Sequence, residues 1–234
     1  MNADEITEYL KSLSNKEIAA HSQRFFKTAK GEYGSGDKFL GIRVPLIRKA
    51  VKKYKDGPVS IAKELLRSPY HEIRLFALLS LVSKFEKGGE IERNEIFRFY
   101  LKNTSYINNW DLVDSSAHHI VGAYLKNKNR RVLYALAKSR SLWKKRIALM
   151  ATFYFIKNNE FEDTLKIAEI LLSDPEDLIH KAAGWMLREV GNRDKKTEIE
   201  FLNRHYHNMP RTMLRYAIEK FEKNERKKYL DGKV

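Results

Sequence analysis

Seven segments of this chain repeat one hydrophobic pattern. IAKELLRS, RLFALLSLVSKF, EIFRFYLKN, RVLYALAKS, RIALMATFYFIKNN, DTLKIAEILLS and HKAAGWMLREV all space apolar residues three and four positions apart. That spacing gathers side chains on one face of a helix and would scatter them over both faces of a strand, so it commits the chain to helices. Short breakers lie between the segments: GEYGSGD, DGP, SPY, KGGE, SDPED and GNRD. They end one helix and turn the chain into the next. No Asn-Gly or Asp-Gly pair joins two alternating runs, so strands are not expected. About fourteen helices of roughly 10 to 18 residues account for the length.

The helices also recur. Arg74, Trp110, Arg146, Lys181 and Arg215 open segments of similar pattern, and successive members are 36, 36, 35 and 34 residues apart. Nearby, RLFALL, RIALMA, KAAGWM and RYAIEK carry small residues where neighbouring helices can approach closely. A two-helix unit of this length stacks into an α-solenoid with a continuous core and one concave face. The tryptophan–glycine–tyrosine pattern of tetratricopeptide repeats is missing, which leaves irregular HEAT-like repeats. The expected fold is therefore all-α: a HEAT-like solenoid, a right-handed superhelix of antiparallel helix pairs with a concave basic groove. It is read as a single domain over residues 1–234, with 1–38 as N-terminal capping helices and 222–234 as a C-terminal tail. Equivalent residues of a solenoid line the same face, so four of the five opening positions give that groove a row of positive charge. The fifth is Trp110.

Charge narrows the partners. Forty-five Lys and Arg against 30 Asp and Glu leave a net charge of +15, spread through the chain. A folded body this basic attracts polyanions, nucleic acid first among them. No apolar run approaches the roughly 20 residues that span a bilayer, and no long basic amphipathic helix suggests a membrane surface. The stretch MNADEITEYLKSLSNKE is polar and acidic, unlike a signal peptide. With no cysteine, disulfides, thiolate zinc sites and cysteine nucleophiles are excluded. A cytoplasmic protein is expected, associated with the nucleoid through DNA.

Most catalytic motifs are absent. His118-His119 and His205-Tyr206-His207 do not place two imidazoles on one helical face, and there is no HExxH. YGSGDKFLGI reads as a flexible connection rather than a phosphate loop, since no strand precedes it. There is no plausible serine triad. Neither metal nor cofactor is expected. What remains is NNWDLVDSSAHHI: on a helix starting near Asn108, Trp110 and Asp114 share a face. Asp111 is rotated away and suits a helix start. Trp185 lies four residues after Lys181, on the same face. Trp143, just before KKR, reads as an N-terminal staple onto the core.

NNWDLVDSSAHHIVGAYL, SLWKKRIALMATFYFIKN and LIHKAAGWMLREVGNRD resemble consecutive core motifs of the AlkD-like DNA alkylation repair glycosylases. FLGIRVPLIRK near Phe39 and MPRTMLRYAIEKF near Met209 are similar to the flanking motifs, so the likeness runs from about Phe39 to Phe221. The resemblance implies a HEAT-like superhelix that wraps duplex DNA and removes cationic N3- or N7-alkylpurines by N-glycosidic cleavage, without flipping the base. It implies cleft tryptophans at Trp110 and Trp185, a catalytic aspartate at Asp114 and a cleft arginine at Arg146. One departure is visible: where some members carry a second aromatic before the first cleft tryptophan, this chain has Asn109. Phosphate contacts are expected from Lys144, Lys145, Lys181, Arg188, Arg211 and Arg215, while RKAVKKYK reads as surface. A monomeric alkylpurine glycosylase acting on double-stranded DNA is the first reading. The alternatives are a non-catalytic HEAT-repeat protein that binds damaged or unusual DNA, and a protein-binding scaffold.

Overall fold

The computed structural model describes residues 1–234. It holds fourteen α-helices and no strand, only an isolated bridge between Lys38 and Tyr70. No helix is long and apolar enough to cross a membrane. The chain contacts divide it into two units, Met1–Ile120 and Val121–Val234.

The first unit contains α1 (Ala3–Ser12), α2 (Lys16–Phe25), α3 (Val44–Lys53), α4 (Val59–Leu65), α5 (His71–Lys87), α6 (Glu90–Lys102) and α7 (Trp110–Asp114). Asn2 and Asn15 cap α1 and α2 by accepting the N–H groups of Glu5 and Ile18, which satisfies orphan donors of each first turn. α5 is the centre: α3, α4, α6 and α7 all pack on it. It is apolar nearly all round, and twelve of its seventeen residues are buried. Three of those twelve, besides the apolar ones, are His71, Glu72 and Arg74. Charged groups inside such a helix must find partners, because an unpaired buried charge is too costly to keep.

The second unit contains α8 (Arg131–Ala137), α9 (Leu142–Ile156), α10 (Glu162–Ile170), α11 (Asp177–Gly191), α12 (Lys195–His205), α13 (Arg211–Ala217) and α14 (Lys223–Asp231). α9, α11 and α13 form one row of neighbours, with α8 and α10 packed on α9 and α12 on α11. This is the solenoid arrangement anticipated from the period. Arg146, Lys181 and Arg215 are each the fifth residue of their helix, so the repeat is regular here. It loosens towards the N-terminus, where Arg74 is the fourth residue of α5 and Trp110 the first of α7. The small residues serve the close approaches expected of them. A Cβ on Gly184 would stand 2.4 Å from the Met213 carbonyl oxygen of α13, and one on Gly122 would stand 2.2 Å from that of Ala151 on α9.

Candidate functional site

The helix expected to start near Asn108 in NNWDLVDSSAHHI begins at Trp110 and is short. α7 is only five residues long, and a π-helical segment follows at His118–Gly122. The serines between explain the break. Ser116 Oγ donates to the Leu112 carbonyl at 2.5 Å, and Ser115 Oγ reaches the same oxygen at 3.4 Å, competing for an acceptor that would continue the helix. Trp110 and Asp114 still open and close a single turn, four residues apart, and both are half-buried.

A buried polar cluster holds this turn. His71 Nε2 lies 2.8 Å from Asp111 Oδ2, and His71 Nδ1 lies 3.2 Å from Asp37 Oδ2. With a carboxylate on each side, both ring nitrogens donate only when the imidazole is charged. Arg74 Nη2 donates to Asp37 Oδ1 at 2.6 Å and to Asn108 Oδ1 at 3.1 Å. Asn109 is fully buried; its amide Nδ2 is 3.4 Å from Asp37 Oδ2, and its Oδ1 accepts the Trp110 N–H at 2.9 Å. Asn109 is thus a framework residue beneath α7. Asp111 has the helix-start role expected of it, accepting the Leu112 N–H at 2.9 Å, and a second one as partner of His71.

Burial alone would lower the His71 pKa, but the charge and hydrogen bond of Asp111 and the hydrogen bond of Asp37 outweigh burial and the nearby Arg74, raising it to about 9. For Asp37, burial pushes upward, yet the His71 hydrogen bond and the charges of Arg74 and His71 hold it below the ordinary value. The imidazolium also lies among aromatic rings: Phe39 stacks on it at 4.5 Å and Phe26 leans on it at 4.9 Å. Phe26 in turn stacks on Trp110 at 5.3 Å, and Phe25, 57% exposed, meets the indole edge-on at 6.0 Å. Trp110 is therefore set by α7 on one side and by α2 on the other, with an open aromatic surface beside it.

YGSGDKFLGI is not the flexible connection its composition suggests. Glu72 accepts the backbone N–H groups of Leu40, Gly41 and Ile42 at 2.9, 2.7 and 3.2 Å. The His71 N–H donates to the Lys38 carbonyl at 2.8 Å. Gly41 has φ +79°, and a Cβ there would collide with the Asn15 carbonyl oxygen at 2.0 Å. Sequence reasoning missed Asp37, His71 and Glu72. The available signal was a histidine and a glutamate at the head of an otherwise apolar helix.

Asp114 lines a cleft of about 600 Å³ formed by α3, α5 and the α7 region, together with Arg48, Lys52, Glu86, His118 and His119. His119 Nδ1 is 3.2 Å from Glu86 Oε1. No group of three or more His, Asp or Glu side chains is arranged to hold a metal ion.

In the second unit, Trp185 is half-buried, its indole N–H donating to Glu189 Oε1 at 2.9 Å and its ring 6.2 Å from that of Phe153. Arg146 is buried, with Nη1 donating to the Leu178 carbonyl at 2.6 Å. Lys145 is buried against Asp174. Lys181 pairs with Asp177 at 2.7 Å, and Arg188 pairs with Glu219 and Glu189. Arg211 Nη1 donates to the Leu230 carbonyl at 2.8 Å. Lys144 is half-buried and Arg215 exposed. Trp143 is not a staple: Ser141 caps α9, which places Trp143 second within the helix rather than before its cap.

Residues 6–221 match the family model of the DNA alkylation repair enzymes. No curated protein matches the sequence significantly. Among solved structures, a predicted DNA alkylation repair enzyme from Enterococcus faecalis shares the fold with a TM-score of 0.69, over 90% of this chain and 97% of that one, at 16% identity. With the family match spanning almost the whole length of a helical fold that carries the Trp110–Asp114 turn, this chain belongs to the DNA alkylation repair enzyme family.

Proposed function

We propose that the protein is a monofunctional DNA glycosylase that hydrolyses the N-glycosidic bond of cationic N3- and N7-alkylpurines in duplex DNA, acting as a monomer. The observation that carries this reading is the α7 turn. It presents an indole and a carboxylate on one face, and the buried Asp37–His71–Asp111 cluster fixes it from below. Rigid support of this kind is what a charge-stabilising site needs, because reorganisation during the reaction weakens the effect.

The chemistry follows from charge. Alkylation at N3 or N7 gives the purine a formal positive charge. As the bond from C1′ breaks, its electron pair returns to the purine and neutralises it, while positive charge grows on the deoxyribose. Asp114 stabilises that oxocarbenium-like sugar and orients a water molecule. The water oxygen bonds to C1′, one proton is released, and an abasic site with a free purine remains. Trp110 and Trp185 offer indole faces to the cationic lesion and sugar, each contributing ~0.5–2 kcal/mol. Arg146 is assigned to the backbone phosphate beside the lesion. The target base stays within the duplex rather than entering an enclosed pocket, so bulky cationic adducts are accepted.

The test is base release. Purified protein is incubated with duplex DNA carrying one 7-methylguanine, abasic sites are counted, and Asp114→Asn is run in parallel. Excision by the wild type with a loss of roughly 10²-fold or more in the variant, the scale of one lost electrostatic stabiliser, is expected. Duplex binding with no base released from either 7-methylguanine or 3-methyladenine would sink the glycosylase and leave a non-catalytic DNA-binding protein.

A further inference from the structure

Positive charge is abundant in this chain, but it is not equally available. In the second unit, Lys145, Lys181 and Arg188 are already engaged by Asp174, Asp177 and the Glu219–Glu189 pair. Arg146 and Arg211 donate to backbone carbonyls. The three ion-paired cations would have to give up or share a partner to hold an external anion.

α3 differs. Arg48 and Lys52, four residues apart on one helical face, are exposed and form no ion pair. Both line the cleft that contains Asp114. The acids of that cleft, Glu86 and Asp114, come from α5 and α7, and Glu86 faces His119. The cations on the α3 wall are thus uncommitted, although carboxylates line the same space. A carboxylate that meets a deoxyribose in DNA also meets its flanking phosphates, and that repulsion opposes docking unless cations stand nearby. Arg48 and Lys52 stand there.

We infer that Arg48 and Lys52 grip a backbone phosphate of the strand whose sugar meets Asp114, making α3 a DNA-binding element of the first unit. This rests on the reading of Asp114 given above. The grip offsets the repulsion between Asp114 and the DNA backbone, and it places part of the affinity in a segment whose composition alone reads as solvated surface.

The test is the salt dependence of binding to an unmodified duplex, followed by fluorescence anisotropy. The protein variants are wild type, Arg48→Ala/Lys52→Ala, and the charge-neutral Glu162→Ala/Lys166→Ala, which removes an exposed ion pair of α10. Each lost phosphate contact lowers the slope of log affinity against log salt by about 0.9. The α3 variant is expected to lose about 1 to 2 from the slope and roughly 10-fold or more in affinity near 0.1 M salt, with unchanged circular dichroism. The Glu162/Lys166 variant is expected to keep the wild-type slope. An unchanged slope in the α3 variant, or an equal fall in both, overturns the inference. Arg48→Lys/Lys52→Arg should retain the slope, and failure to do so counts against charge as the cause. A wild type that releases no base but loses slope in the α3 variant supports the grip while sinking the glycosylase. A wild type without salt-sensitive DNA binding removes both.

Discussion

Raising the pH should loosen the platform under Trp110, through His71. This imidazole is 2% exposed, with carboxylates at 2.8 and 3.2 Å, and its pKa is raised from 6.5 to about 9. A folded-state pKa above the unfolded value means the folded protein holds the proton more tightly. The stabilisation is fully present below pH 6.5 and is lost as the pH rises through 9. The shift corresponds to about 3 kcal/mol, and with the group buried, solvent screening takes little from it. The assay is urea unfolding of the wild type and of His71→Asn at several pH values from 6 to 10, reading the difference between them so that other titrations cancel. The variant should be strongly destabilised at pH 6, and the gap should narrow by about 3 kcal/mol by pH 10. Arg74 and Asp37 remain paired in the variant, so the narrowing reports the charge on position 71. A gap that stays constant across the range, or an imidazole NMR titration of His71 near pH 6.5, would refute the reasoning.

Glu198 behaves in a related way in the second unit: 2% exposed, its carboxyl is pushed up to about 8 by burial, with Lys195 and Arg188 opposing and Glu225 adding to the rise. Its contribution to stability is complete below pH 4.5 and is lost as the pH rises through 8, so Glu198→Gln should exceed the wild type by several kcal/mol at pH 9 and by little at pH 4. Equal urea midpoints at pH 9 would contradict this. Gly184→Ala should cost about 1–3 kcal/mol, since the new methyl meets the Met213 oxygen at 2.4 Å and the Tyr216 Cβ at 2.5 Å. Gly89→Ala, with nothing within 4 Å, is the control and should cost less than about 1 kcal/mol; equal melting shifts would count against close helix approach as the cause. Glu72→Ala strips the acceptor from three backbone donors, so hydrogen exchange at Leu40, Gly41 and Ile42 should accelerate well beyond the rest of the first unit.

Helix content, the absence of strands, the two-helix period and the family were all legible from the sequence. The physical reason is that apolar spacing at 3.6 residues and a recurring small residue are local properties, written into contiguous stretches. Gly184 shows it well: KAAGWM predicted a close approach, and α13 makes one. The Trp110–Asp114 pair was legible for the same reason, since a spacing of four decides which side chains share a face.

What the sequence could not decide is which charges are spent and which are free. Lys145 and Lys52 look alike in a string of residues, but one is buried against Asp174 and the other stands exposed on the wall of the cleft that Asp114 also lines. Asp37, His71 and Asp111 are 34 and 40 residues apart in their two contacts. No periodicity records that they converge. Pairing and burial depend on where distant segments meet, and a charge is expensive to bury alone, so only the tertiary fold settles each ion's partner. The sequence by itself determined a helical repeat with a tryptophan and an aspartate on one turn. The tertiary structure decided that a charged histidine holds that turn in place, and that two uncommitted cations of α3 share its cleft.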